Sequence, residues 1–437
     1  MDNARVPLTT QSAKTWLSTH YYWVVSGFLA LAVSLRGITA TPLSHDEFYS
    51  LNAVTEGIDE HLWEAPWIPY YAFLWVWTGA GNLTTDFWMR LASVLAIVGL
   101  AITVAVIAKN LLNRWAGLAA GLIVAVSPAS QKFALQARVY ALAAFLFTLA
   151  LYFLIKAIAA NQKKSWVLYS ITMVIAGILA PFGLVVLIGH FIILITTNNH
   201  DPQTFKRWLI SCIPLIILLL VGFGTIRMFS QFHGFAPTPN LTNLASGLEW
   251  LGTSGALPTA ASGAFGFGVL ILAAITKQSS KFLWAGLLGT AAVWLVSLGP
   301  MTFWSGQYLF TLMPFVAIGA ALTLGTLSKT RTVGILALLA AIAYPSFIDL
   351  RTPLEREPNM RVAADFVADN QNLSTQILDN DELYGLGVAL RHYRPDLTAL
   401  TFTTEPEAPF WSIYGEPGCN SKVSLTLTSD VTLRLCN

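Results

Sequence analysis

Apolar stretches of near bilayer-crossing length recur along most of this chain, and they constrain it more than any motif does. Eleven such cores can be drawn: Tyr22–Ile38, Leu91–Ile107, Ala116–Val126, Ala141–Ile155, Trp166–Leu179, Gly183–Thr196, Leu209–Ile226, Phe265–Thr276, Leu283–Leu298, Tyr308–Leu324 and Val333–Tyr344. Only 11% of the residues are charged, less than half the usual share of a soluble domain. The expectation is a polytopic α-helical membrane protein with about 11 spans, give or take two. The stretch Leu62–Gly79 is apolar too, but it carries Pro66 and Pro69 and four tryptophans. It reads as an interfacial helix rather than a span. The formal charge of +2 is not gathered into any Lys/Arg tract that could follow a phosphate backbone, so no nucleic-acid partner is expected.

Basic residues set the orientation. With the N-terminus in the cytoplasm, the inner loops carry thirteen Lys and Arg, and the outer segments before residue 350 carry five: Arg36, Arg90, Lys132, Arg138 and Arg227. That asymmetry fits the positive-inside rule. A plasma-membrane location follows, with the longer loops, about 39–88 and 227–262, on the outside. Residues 351–437 differ in character, with charged residues, turn signals and mixed periodicity. Met360–Asn370 and Asp381–Tyr393 read as helices, and Thr375–Leu378 and Ser424–Leu435 as strands. The chain thus divides into a membrane domain, 1–350, and a small extracytoplasmic α/β domain, 351–437. Cys419 and Cys436 lie in that tail and could pair as a disulfide there, with two unpaired thiols as the alternative. Cys212, inside an apolar run, reads as a buried small hydrophobe.

Two stretches on the outer side carry chemistry. In SHDEFYSLNAV, Asp46 and Glu47 sit side by side just after the first apolar run. Ser44-x-x-Glu47 is a capping-box pattern, which would make both acids structural. The other reading makes one of them a general base, since a carboxylate against apolar surface gains basicity. In SPASQKFALQARVYALAAF, Lys132 and Arg138 are six apart, which on one unbroken helix would separate them by about 120°. A turn between them would let both reach one ligand. A guanidinium at that depth suits a phosphate, and snorkelling to lipid headgroups is the competing explanation. His61 and His233 are isolated, with no second histidine at ligand spacing. Trp63, Trp67, Trp75 and Trp77 read first as an aromatic belt, with the lining of a sugar-binding cleft as the alternative.

The order of these motifs resembles the GT-C superfamily of lipid-linked sugar transferases, and within it the protein O-mannosyltransferase and aminoarabinose-transferase-like (glycosyltransferase 39-like) group. The resemblance rests on Asp46, Glu47, Tyr49 and Leu51; on APWIPYYAFLWVW, with Tyr70 and Tyr71 but no histidine; on DFWMRLASVLAIVG with Arg90; on Asn113–Gly117; and on Gln136, Ala137, Arg138, Val139 and Tyr140. GQYLFTLMP, with Gln307 before Tyr308, stands where the group often has Arg-Tyr. The likeness is most specific over residues 40–150, weaker to about 325, and says nothing of the tail.

The resemblance implies an enzyme of the glycosyltransferase class. A polyprenyl-phosphate sugar would be the donor, and a hydroxyl of an envelope glycan, lipid or protein the acceptor. Transfer would be a single inverting displacement at the outer face. Asp46 would activate the hydroxyl, with Glu47 supporting it or orienting the acceptor. Arg138 would lie near the active cavity, and Lys132 or Arg227 could add the positive charge that Gln307 does not. Tyr49, Tyr70, Tyr71, Gln136, Tyr140, Gln307 and Tyr308 are the candidate substrate contacts. Mannose is the favoured sugar, with a pentose such as arabinose as the alternative. No cofactor is expected, a divalent cation being an option in the wider superfamily. A flippase for lipid-linked sugar is the competing function. It would place ionisable residues deep in the spans, which carry almost none. A non-catalytic envelope assembly protein, with the acids merely capping, is the third reading.

Overall fold

In the computed structural model, the residues described are 10–55, 57–58, 67–197, 201–228, 240, 260–298, 306–349 and 360–370, with the shorter pieces 376–378, 390, 392–394, 396, 401–403, 409–413, 421–426 and 432–436 beyond them. They form a polytopic, mostly α-helical membrane protein. A long first helix, α1 (Thr10–Gly37), leads into two short ones, α2 (His45–Thr55) and α3 (Ile68–Trp77). Then come α4 (Asp86–Leu111), α5 (Arg114–Val126), α6 (Pro128–Ala134), α7 (Tyr140–Ala160) and α8 (Lys163–Leu179). A 3-10 turn (Pro181–Val185) precedes α9 (Val186–Thr197) and α10 (Pro202–Met228). After these follow α11 (Ala260–Ala274), α12 (Lys277–Ser297), α13 (Gly306–Leu309), α14 (Met313–Thr326) and α15 (Lys329–Asp349).

Local chemistry explains the boundaries. Thr85 caps α4 by accepting from the Trp88 N–H, and Asp86 in the first turn complements the helix dipole. Asn113 Oδ1 accepts from the Ala116 N–H at 2.9 Å and starts α5. Ser127 ends α5 and caps α6, whose first position is Pro128, a residue that needs no N–H partner there. Asn161 closes α7 in the left-handed conformation, φ 50°.

Four helical stretches among the described residues are long and apolar enough to cross a membrane: Asp86–Leu111, Tyr140–Ala160, Lys277–Ser297 and Gly306–Thr326. Arg114–Val126, Pro181–Thr197 and Gly263–Ala274 are apolar but shorter. Leu62–Gly79 contributes only the ten-residue α3, too short to span. The 13-residue α5 lies between α1, α4 and α14. Its small residues let it approach them closely. A Cβ at Gly117 would come within 2.7 Å of the Ala105 carbonyl oxygen on α4, and one at Gly121 would run into Ser26 Oγ on α1. Cys212 is buried, as its apolar surroundings suggested, with its Sγ 4.0 Å from the Tyr169 hydroxyl.

The C-terminal region holds α16 (Met360–Asp369) and five short strands: β1 (Gln376–Leu378), β2 (Thr401–Thr403), β3 (Phe410–Ile413), β4 (Ser421–Thr426) and β5 (Thr432–Cys436). They form one sheet in the order β2-β1-β3-β5-β4. β1 runs parallel to both its neighbours, while β5 is antiparallel to β3 and β4. Trp411 is fully buried and meets Phe366 of α16 edge-on at 5.9 Å. Cys419 and the side chain of Cys436 lie outside the described residues, and so does any disulfide between them.

The close approach at α5 can be tested. Gly121→Val should destabilise the protein by about 1–3 kcal/mol through overpacking against Ser26. The expected result is a lower thermal midpoint in detergent, and pairing it with Ser26→Gly should recover part of the loss.

Candidate active site

The two adjacent acids part company in the fold. Glu47 is 1% exposed. The Ser44 backbone N–H and hydroxyl both donate to its Oε2, at 2.9 and 3.0 Å, so the half of the capping box that runs from the Ser44 N–H to the Glu47 side chain is formed, while the Glu47 N–H donates to the Ser44 carbonyl. Arg90, one turn into α4, donates from Nε to Oε1 at 2.8 Å and from Nη2 to Oε2 at 2.7 Å. The Ala137 backbone N–H adds a fifth bond to Oε1 at 2.7 Å. Glu47 was expected to support Asp46 or to orient the acceptor; its lone pairs are engaged by five protein donors, which hold it in place.

Arg90 is satisfied to the same degree. Its remaining N–H groups donate to the carbonyls of Ile38 at 3.0 Å, Thr41 at 2.8 Å and Pro42 at 2.8 Å. All five guanidinium N–H bonds are thus used. One ion pair fixes the chain leaving α1, the start of α2, the first turn of α4 and the turn before α7.

Asp46 is half-buried at the same helix start, and its carboxylate accepts no hydrogen bond among the described residues. Its backbone carbonyl accepts from Arg138 Nη1 at 3.1 Å. Arg138 is 6% exposed, and the same Nη1 donates to the Tyr71 hydroxyl at 3.0 Å. Its guanidinium lies over the Trp67 ring, 5.4 Å from the centroid. The chain breaks between α6 and α7, so Lys132 and Arg138 do not share a helix. Lys132 is half-buried on α6.

Four rings gather beside this pair. Tyr308 stacks on Phe182 at 4.4 Å, Trp67 lies 5.5 Å from Phe182 and 6.3 Å from Tyr308, and Tyr140 lies within 6.4 Å of all three. Asp46 and Arg138 are the charged neighbours that Tyr140 and Tyr308 share. At this end of the bundle several buried polar groups have no hydrogen-bond partner among the described residues: Asn52 Oδ1, the Tyr70 hydroxyl, Gln136 Oε1 and Gln307 Oε1. Burial holds the Tyr70 phenol well above its usual range, so that group is neutral. Buried polar atoms in folded proteins are nearly always paired, and such a cluster is what a polar ligand would complete.

The expected residues are therefore distributed as follows. Asp46, Arg138, Tyr71, Tyr140 and Tyr308 come together, with Tyr70, Gln136 and Gln307 at the same end. Tyr49 is half-buried on α2. Arg227 ends α10, but its side chain is outside the described residues, as are His61, Trp63, Pro66 and His233. Trp67 was assigned to an aromatic belt and is instead buried, 6% exposed, against Arg138. Trp75 does face outward. Among the described residues no group of three or more His, Cys, Asp or Glu is placed to hold a metal ion.

Sequence reasoning passed over a second carboxylate. Asp86, 7% exposed at the start of α4, accepts from Arg361 Nη2 at 2.7 Å, from His392 Nε2 at 2.9 Å and from the Tyr393 hydroxyl at 3.5 Å. The Leu43 N–H in turn donates to the Tyr393 oxygen at 2.7 Å. Burial, with the Asp86 charge beside it, keeps the Tyr393 phenol well above its ordinary range. No local motif announces these partners, which lie some 300 residues from Asp86 in the chain.

Replacing Arg90 by Met should be far more damaging to folding than Asp46→Asn. Leaving Glu47 charged and unpaired in the interior costs about 3–5 kcal/mol, whereas the Asp46 carboxylate has no hydrogen bond to lose. Thermal unfolding of both variants in the same detergent measures the difference.

Residues 69–223, from α3 into α10, match the family model of the dolichyl-phosphate-mannose-protein mannosyltransferases. No curated protein matches the chain. Among solved structures, apo ArnT from Cupriavidus metallidurans is 13% identical with a TM-score of 0.55, and 87% of this chain is aligned with 85% of that one. The same protein bound to undecaprenyl phosphate is 12% identical with a TM-score of 0.54 over the same shares. The family match is confined to residues 69–223, and the likeness to ArnT is one of fold.

Proposed function

We propose that the protein transfers a sugar from a polyprenyl-phosphate donor to a hydroxyl of an envelope glycan, lipid or protein, with Asp46 as the general base. One observation carries the reading. Of the two adjacent acids, Glu47 is saturated by five donors, and Asp46 keeps a carboxylate that accepts no hydrogen bond among the described residues, beside Arg138 and the Tyr140–Tyr308 rings. In the reaction Asp46 takes the proton of the acceptor hydroxyl. The oxygen attacks the anomeric carbon as the bond to phosphate breaks, the electron pair leaves with polyprenyl phosphate, and the anomer inverts. A phosphate monoester leaving group needs no general acid, so one carboxylate suffices.

Positive charge near the departing phosphate comes from Lys132 and Arg138, with Arg227 as a further candidate. Arg138 also holds the Asp46 carbonyl, so it acts on the base as well as on the donor. Tyr70, Gln136 and Gln307 offer unpartnered polar atoms to the sugar, and Tyr49, Tyr71, Tyr140 and Tyr308 complete the candidate substrate contacts. Mannose is the favoured sugar. The matching family model describes transferases that use dolichyl-phosphate mannose, and undecaprenyl phosphate in the bound ArnT structure is a polyprenyl phosphate of the kind proposed here. A pentose such as arabinose is the alternative.

The same reading assigns the topology. About eleven spans are counted over residues 1–350, the N-terminus is cytoplasmic, and the acid-bearing end of the bundle faces outward in the plasma membrane. Residues 351–437 form a small extracytoplasmic domain.

Purified protein incubated with polyprenyl-phosphate mannose and polyprenyl-phosphate arabinose, with an acceptor panel read by mass, tests the function. Asp46→Asn should lower turnover by about 10²–10⁴-fold, the usual contribution of a positioned base. Undiminished turnover in that variant would overturn the mechanism.

A further inference from the structure

The C-terminal region touches the membrane part at the segment that carries the acids. The chain from Ile38 to Phe48 has no regular structure until α2 begins, and something must fix it. Arg90 does so from below, through the carbonyls of Ile38, Thr41 and Pro42. The other side is held from the tail. The Tyr393 oxygen accepts from the Leu43 N–H, and its ring meets Phe48 edge-on at 6.3 Å. Tyr393 is in turn fastened: its hydroxyl points at Asp86, and the Arg361 guanidinium lies over its ring at 4.9 Å. Asp86 collects Arg361, His392 and Tyr393, while sitting one turn before Arg90 on α4.

We propose that Asp86 and Tyr393 are positioning residues, through which Arg361, His392 and Tyr393 of the C-terminal region clamp the 38–48 segment and so set the aim of Asp46. The claim rests on the reading of Asp46 as base. The clamp and Arg90 grip one short stretch from two sides. Leu43 is three residues from Asp46, so loosening it moves the carboxylate while leaving the ring cluster in place. An error of about 1 Å in a reacting group can cost as much as a hundredfold in rate. Binding of the lipid donor, which does not depend on the direction of that carboxylate, is spared.

The test uses the full-length protein with polyprenyl-phosphate mannose or polyprenyl-phosphate arabinose, whichever it turns over, and hydrogen–deuterium exchange read over residues 38–48. Tyr393→Phe removes the acceptor of the Leu43 N–H. It should speed exchange in that segment and lower kcat about tenfold or more, with the donor KM within twofold. Asp86→Asn should do the same. His392→Gln keeps an N–H donor to Asp86 and should act nearly as wild type, whereas His392→Leu should not. Asp396→Asn, on the exposed Arg394–Asp396 pair, should change neither readout. Unchanged exchange over 38–48 in Tyr393→Phe would overturn the clamp. So would faster exchange with kcat per folded molecule intact, since the contact would then be bracing alone. Should Asp46→Asn keep full turnover, the base assignment falls, while the exchange comparison still decides whether the tail holds the segment.

Discussion

The Glu47–Arg90 ion pair is the interaction on which the site depends. Both side chains are 1% exposed. Removing two charges from water is costly, and mutual attraction repays it only when every remaining lone pair and proton finds a partner. Here they do. Five N–H groups of Arg90 meet five acceptors, and five donors meet Glu47. What the pair provides beyond its own satisfaction is geometry. Three carbonyls of an irregular segment are pinned to one planar guanidinium, and the N–H before Arg138 is pinned to the carboxylate it holds. The neighbouring Asp46 therefore emerges from a rigid base while its own carboxylate stays outside the network.

Two adjacent carboxylates thus meet different surroundings: five donors converge on Glu47, and that of Asp46 accepts no hydrogen bond among the described residues. Arg138 links the two halves: it binds the carbonyl of Asp46 and the phenol of Tyr71, and it lies under Trp67. The aromatic group around it excludes water and strengthens each electrostatic contact inside.

Legibility in the sequence followed distance along the chain. Ser44-x-x-Glu47 is a local pattern, and the bond it announces from the Ser44 N–H to the Glu47 side chain formed as read. The apolar runs marked a polytopic helical protein, and a turn at residues 135–139 does separate Lys132 from Arg138. Arg90 was visible within DFWMRL, yet its partner sits 43 residues earlier, and nothing in either stretch declares the pairing. Trp67 was misplaced because tryptophan density near an interface looks the same whether a ring faces lipid or a buried cation. Asp86 went unnoticed for the plainest reason: a lone acid at a helix start is explained by the helix dipole, and its three partners belong to the tail.

The order in which the hub's parts leave the ribosome gives the ion pair a role in biogenesis. Glu47 is made first, Arg90 follows 43 residues later, and Ala137 arrives after 90. A buried charge cannot wait alone at a bilayer surface without water. Until α4 is made, the Glu47 carboxylate has no guanidinium to meet, and once it is, the ion pair ties together two segments that precede most of the bundle in the chain.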